Sequence, residues 1–299
     1  MSGTAEGVNG FLCVLKPPGM TSSDVVVRVR RKLGKGARVG HAGTLDPEAA
    51  GVLPLMIGKA ARLFDYMVDK EKTYVAQLVP GFATDTQDVH GCVTARAQQR
   101  LTREMLEQVL PQFIGEIAQI PPMFSALKRG GQKLCDLARQ GVELDVEPRP
   151  VQVYAIDVMQ AAADGSFLLR VRCGRGTYIR TLCYDIGRAA GVPCCMGLLL
   201  RTQTGSFTLD DAHTVEEIDA ADDLSALLTP MDRPLAHLPA LTIAPGAERF
   251  ARNGNVLRRS QFSGAAEPGR SARLYLNGQL AGIGRIGADG LRFDAMLLP

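Results

Sequence analysis

Apolar residues along this chain come in short runs whose spacing changes character several times. Phe11 to Leu15 is an apolar run closed by Lys16-Pro17-Pro18-Gly19, which predicts a strand ending in a turn. Thr21, Ser22, Ser23 and Asp24 offer helix N-caps. Val25, Val26, Val27, Val29 and Leu33 follow, with basic residues partly on an outer face, until Gly34 and Gly36 stop the element. The run after Asp46-Pro47 reads as helical, and a mostly apolar stretch leads to a further helical segment, Gly58 to Phe64. Thr73 to Leu78 alternates as a strand does, and Gly81 to Gly91 is a polar loop. Thr102 caps a helix predicted to reach Phe113.

Pro121-Pro122 opens a basic stretch that leads into a short helix from Leu134 to Gln140. Val151 to Val158 and Phe167 to Cys173 read as strands, Tyr178 to Ala190 as a helix ended by Gly191. Strand character returns from Met196 to Phe207, and Thr214 to Ala221 reads as a short acidic helix. Arg233 to Pro245, with prolines at 234, 239 and 245, reads as a linker. Beyond it, Asn277-Gly278 between apolar strands is a hairpin signal, so the C-terminal sixty or so residues predict a small β-domain.

A chain of 299 residues with 46% hydrophobic and 22% charged positions has room for one large domain and a small one. No apolar run approaches about 18 residues, so no membrane span is expected. The first ten residues lack the basic and apolar regions of a secretion signal. Seven cysteines without a C-x-x-C pair point to reduced thiols and a cytoplasmic protein, with neither disulfides nor zinc. The net charge of +3 hides an asymmetry: Arg28 to Arg38 holds six basic residues and no acid, Asp210 to Asp223 seven acids and no lysine or arginine. Basic segments kept apart from an acidic one suit a polyanion partner on one face, or simply solvated surfaces.

Several motifs fail on context. Gly282-Ile283-Gly284-Arg285-Ile286-Gly287 matches a dinucleotide fingerprint literally but lies in the hairpin region with no helix after it. Gly58-Lys59 lacks the first glycine and the Ser/Thr of a phosphate loop. Four scattered histidines have no metal-ligand spacing. What remains is Gly40-His41-Ala42-Gly43-Thr44-Leu45-Asp46-Pro47. Asp followed by Pro is a favoured helix start, and a carboxylate at a helix N-terminus is stabilised in its charged form. A charged aspartate also suits a nucleophile. Composition does not choose between the cap and the catalyst.

That run, followed by Gly51-Val52-Leu53-Pro54 and Gly58-Lys59-Ala60-Ala61-Arg62, resembles the active-site signature of bacterial TruB-type tRNA pseudouridine synthases. Further blocks resemble the family in its order: Lys16 to Ser22, Lys72-Thr73-Tyr74, Pro121 to Lys128, Gly176 to Leu182, and Leu199-Leu200-Arg201-Thr202 with Gly205-Ser206-Phe207. The resemblance implies an α+β fold with a pseudouridine-synthase-like, mostly antiparallel central sheet, flanking helices and a small C-terminal PUA-like β-barrel. Residues 1–234 would be catalytic, with an RNA-gripping thumb at about 121–150, and residues 235–299 would bind RNA. Phe124 and Leu200 depart from the family's usual tyrosine and basic residue.

The implied activity is isomerisation of uridine to pseudouridine in the tRNA T loop, position 55 in tRNA numbering, without cofactor or metal. Asp46 would be the nucleophile on a flipped-out nucleotide, whether at C1′, at C6 or by first removing a proton. Tyr74 would stack on the uracil, Tyr178 line the pocket, Arg180 pair with Asp46, His41 enter the RNA where the base has left, and Leu199 form an apolar wall. Lys16, Lys59 and Lys128 would meet phosphates. The expected partner is the tRNA T stem-loop, met by a monomer away from any membrane. Two rivals remain at this point. One is a non-catalytic RNA-binding or tRNA-folding protein. The other is an aspartate-nucleophile glycoside hydrolase, whose second carboxylate would come from Glu48, Asp85 or Asp88.

Overall fold

The computed structural model describes residues 7–68, 71–125, 127–142 and 144–298. The first six residues of the expected leaderless N-terminus, and Ala126 of the thumb motif, lie outside them. The chain divides into two compact units: Met1–Pro47, Val52–Val68 and Gly205–Pro299 form one, Glu48–Gly51 and Asp69–Thr204 the other. Mixed sheets with helices make the fold α+β. No helix of the described residues is long and apolar enough to cross a membrane.

The second unit is built on an antiparallel sheet in the order Cys194–Thr204, Lys72–Pro80, Phe167–Cys173, Arg149–Ala161, Gly115–Gln119. Period-two burial along Phe167–Cys173 turns Phe167, Leu169, Val171 and Cys173 inward and Arg170 and Arg172 outward. The Ile179–Ala189 helix packs on the Cys194–Thr204 strand. Gly187 permits the approach, since a Cβ there would sit 2.6 Å from the Cβ of Cys194. Ala50 and Gly51 pair in parallel with Leu200 and Arg201. Gly51 has φ +117, and a Cβ on it would lie 2.1 Å from the Arg201 carbonyl oxygen.

The first unit carries the Ser22–Leu33 helix, capped by Thr21 in a reciprocal box with Asp24, as its sequence predicts. Its core joins Phe11, Val52, Met56, Leu63, Phe207 and Leu235 to Ile283, Ala295 and Leu297, residues from both sides of the expected 234/235 boundary. The segment expected as a linker is not one. Leu235 is fully buried, and Ala240–Ile243 is a strand that turns Leu241 and Ile243 inward, an alternation that the flanking prolines conceal in sequence. Five strands run in the order Phe262–Ser263, Ala240–Ile243, Ser271–Leu276, Gln279–Gly287, Gly290–Met296, without closing into a barrel among the described residues. Asn277 (φ +50) and Gly278 (φ +78) make the predicted hairpin turn. Gly282 and Gly284 serve strand packing, since Cβ atoms there would meet the carbonyls of Ala295 and Arg292 at 2.2 and 2.1 Å.

Burial pushes the Cys173 thiol up to about 11, Cys194 up to about 12 and Cys195 up to about 11, with Cys183 raised further still. Cys13 is buried as well, whereas Cys92 is exposed and Cys135 half-buried. Iodoacetamide at about pH 8 is therefore expected to alkylate Cys92 and Cys135 in the native protein and the other five thiols only after unfolding. Rapid native labelling at Cys183 or Cys194, read by peptide mass, would contradict this.

Candidate active site

Asp46 does not cap a helix. Pro47 and Glu48 form a turn and the chain continues as the Ala50–Ile57 strand, buried at nearly every position. A run that is apolar on both faces suits a central strand, and Gly51 at its start adopts a φ that a helix does not. The turn is instead held by the Lys16–Ser22 segment. The Leu45 amide donates to Ser22 Oγ at 2.9 Å, and that hydroxyl donates back to the Leu45 carbonyl at 3.1 Å. On the other flank the Pro47 carbonyl accepts from Lys16 Nζ at 2.9 Å and from the Gly19 amide at 3.0 Å. Asp46 itself is half-buried between these two fixed residues.

Lys16 is therefore not a phosphate contact. It is fully buried, and its ammonium donates to the carbonyls of Pro17 (2.7 Å), Met20 (2.6 Å) and Pro47. An ammonium has three donors, and three main-chain oxygens take them. His41 ends the Val39–His41 strand, opposite Leu55, and is half-buried.

In the second unit Tyr74 is buried on the Lys72–Pro80 strand, in register with Val171 on one side and Arg201 on the other. Leu199 is buried two positions away, opposite Ala76. Tyr178 is the N-cap residue of the Ile179–Ala189 helix, and Arg180 lies in its first turn. The Arg180 guanidinium is buried. Nη1 donates to the Thr86 carbonyl at 3.0 Å, Nη2 to the Phe124 carbonyl at 2.9 Å, and the Asp88 carboxylate lies 3.7 Å from Nη1. The predicted polar loop is thus a fitted part. Thr181 Oγ1 donates to Gln87 Oε1 at 2.7 Å, Gln87 has φ +66, and the Cys92 amide donates to Asp85 Oδ1 at 2.8 Å. Asp85 and Asp88 therefore support loop and arginine rather than act as a hydrolase's second carboxylate.

His41, Asp46, Lys16 and Lys59 belong to the first unit; Tyr74, Lys128, Tyr178, Arg180 and Leu199 belong to the second. Lys59 is half-buried and donates to the Leu297 carbonyl at 2.8 Å. Lys128 sits in a two-residue strand against Lys133; its side chain lies outside the described residues. On the basic helix, Arg28 pairs with Asp219 and Lys32 donates to the Asp219 carbonyl, so the acidic run answers part of the basic one. That pairing holds the Asp219 carboxyl below its ordinary value. Arg31, Lys35 and Arg38 remain exposed.

Sequence reasoning did not name Gln119, weighed Asp88 only as a hydrolase's carboxylate, and quoted Ser22 and Arg201 only within motif blocks, Ser22 also as a helix cap. Arg201, fully buried, carried a signal: a charge directly after the apolar run Leu198-Leu199-Leu200 of its strand. Gln119 carried none, because its partner lies 59 residues further along.

Residues 30–179 match the family described as TruB family pseudouridylate synthase (N terminal domain), and residues 180–236 match the tRNA pseudouridylate synthase B C-terminal domain. The chain is 42% identical over 294 residues to the tRNA pseudouridine synthase B of Dechloromonas aromatica (strain RCB), covering 97% of this chain and 96% of that one. It is 41% identical over 279 residues to the protein of that name from Alkaliphilus oremlandii (strain OhILAs), covering 93% of each. Among solved structures it is similar to a chain of the crystal structure of a Cbf5-Nop10-Gar1 complex, with TM-score 0.75 and 25% identity, covering 99% of this chain and 86% of that one.

Proposed function

The chain belongs to the TruB family of pseudouridylate synthases, and from that premise we propose that Asp46 is the nucleophile acting on a flipped-out T-loop uridine, position 55 in tRNA numbering. The protein is an isomerase that converts uridine to pseudouridine in tRNA. The N1–C1′ bond breaks, the uracil turns, C5 joins C1′, the proton on C5 leaves to solvent and N1 takes one up, so substrate and product have the same atoms. One observation carries the residue assignment. In a member of this family, both residues next to Asp46, Leu45 and Pro47, are pinned by the Lys16–Ser22 segment, which holds the carboxylate's backbone in register for attack.

The other roles follow from what this chemistry needs. The reacting atoms are hidden in stacked RNA, so the nucleotide leaves the stack. Tyr74 stacks on the uracil, Tyr178 and Leu199 line its pocket, and His41 fills the space the base vacates. Arg180, already desolvated, is the guanidinium partner of the Asp46 carboxylate. Exposed Arg31, Lys35 and Arg38, with Lys59 and Lys128, meet phosphates of the T stem-loop. In this division of labour residues 1–234, with the thumb at about 121–150, are catalytic. Residues 235–299 are a PUA-like RNA-binding segment, whose Arg249, Arg258 and Arg259 are exposed. The protein works as a cytoplasmic monomer.

The test is a tRNA transcript tritiated at uridine C5. Tritium release is expected from one T-loop uridine with the strand intact; free uracil, or release from a uridine elsewhere, would overturn the proposal. With these five phosphate contacts, affinity for this tRNA is expected to fall roughly 100- to 500-fold between about 50 and about 200 mM salt. A salt-independent dissociation constant would remove the phosphate contacts from the reading.

A further inference from the structure

We propose that Gln119 is a positioning residue for the isomerisation: its carboxamide fixes the main chain of Tyr178 and so aims the helical turn that presents Tyr178 and Arg180. The inference rests on the roles given to those two residues above. Gln119 closes the Gly115–Gln119 edge strand and is 1% exposed. Its Nε2 donates to the Tyr178 carbonyl at 3.2 Å, and the Tyr178 amide donates to its Oε1 at 3.0 Å.

A carboxamide offers one N–H and one C=O side by side, as a peptide does, so Gln119 meets Tyr178 much as one more strand residue would. The place where it does this matters. Tyr178 is the N-cap of the Ile179–Ala189 helix, yet no side chain caps that helix in the usual way. Its carbonyl also takes the first helical hydrogen bond, from the Leu182 amide at 3.0 Å. The Gln119 amide therefore acts on the peptide that starts the helix, at a position where a shift would displace Tyr178 and rotate Arg180. A second tie joins the same two segments: Arg180 Nη2 on the Phe124 carbonyl, five residues past Gln119. Buried in this way, neither half of the amide finds water if its partner moves, so the pairing tolerates little slack.

The variants are Gln119→Met, which keeps length and removes both hydrogen bonds, and Gln119→Glu, which keeps the acceptor and turns a carboxylate oxygen toward the Tyr178 carbonyl. Each is assayed by single-turnover tritium release at saturating tRNA, by tRNA dissociation constant and by thermal melting. A displaced catalytic group costs rate rather than affinity, so both variants are expected to lose about 10- to 100-fold in rate with dissociation constants within about 2-fold of the parent. In a Tyr178→Ala background, Gln119→Met should cost less than it does in the parent, because one of the two groups it positions is gone while Arg180 remains.

An unchanged rate, a loss confined to the dissociation constant, or a full additional loss beside Tyr178→Ala would each overturn the proposal. If Gln119→Met does not fold, Gln119→Glu decides on the same measurements. Should Asp46→Asn retain turnover, the functional reading fails. Should Asp46→Asn be inactive while Gln119→Met matches the parent, the positioning role alone fails.

Discussion

Asp46→Asn is expected to abolish tritium release, by about four orders of magnitude or more, while tRNA binding stays within about 3-fold of the parent. Asparagine keeps the shape of the side chain and removes the anion. The hydrogen bonds that hold its neighbours remain: the Ser22 hydroxyl still grips Leu45, and Lys16 and Gly19 still hold the Pro47 carbonyl. The melting temperature should therefore move by less than about 2 °C, because a half-buried isosteric change leaves the packing in place. Asp46→Glu separates charge from placement. It retains the carboxylate but moves it by one methylene, which is expected to cost about 100-fold in rate. The measurements are single-turnover release and filter binding on the same tRNA. Full turnover by Asp46→Asn would assign the nucleophile elsewhere.

The elements legible in the sequence are those fixed by chemistry within a few residues. Thr21 with Asp24 announces a helix start, Asn277-Gly278 a hairpin, and Phe167 to Cys173 the alternation of a half-covered strand. The strand after Asp46 was hidden because Gly51 to Ile57 is apolar at every position and so has no period to read. Its strand character comes from long-range pairing: Arg201 lies so close to Gly51 that no Cβ would fit. The site divides in the same way. Asp46, Tyr74, Tyr178 and Arg180 could be proposed as site residues because they sit in blocks that resemble the family's motifs. What each touches could not, because the contacts that fix them bridge 23 residues at Ser22–Leu45, 59 at Gln119–Tyr178 and 94 at Arg180–Thr86.

Lys16 is the residue for which the sequence reading and the structure predict opposite experiments. A lysine beside Pro17-Pro18-Gly19 in an RNA-modifying enzyme reads as a phosphate contact. If it were one, Lys16→Met would leave melting unchanged and reduce the salt dependence of tRNA binding by about one unit of slope. Its burial and its three carbonyl partners require another outcome. Methionine fills much of the same volume but donates nothing, so the Pro17 and Met20 oxygens lose a charge-assisted bond inside the protein. Hydrogen bonds to an ionised group contribute about 1.5–3 kcal/mol each, and an expected loss of about 3 kcal/mol lowers melting by roughly 5 °C or more. The Pro47 peptide keeps only the Gly19 amide, which frees the turn beside Asp46, so the single-turnover rate should fall by about 100-fold. The salt slope of Lys16→Met should match the parent, whereas Arg38→Gln, at an exposed position, should lower it by about one with melting unchanged. An unaltered melting temperature together with a reduced slope for Lys16→Met would return this lysine to the RNA-facing surface.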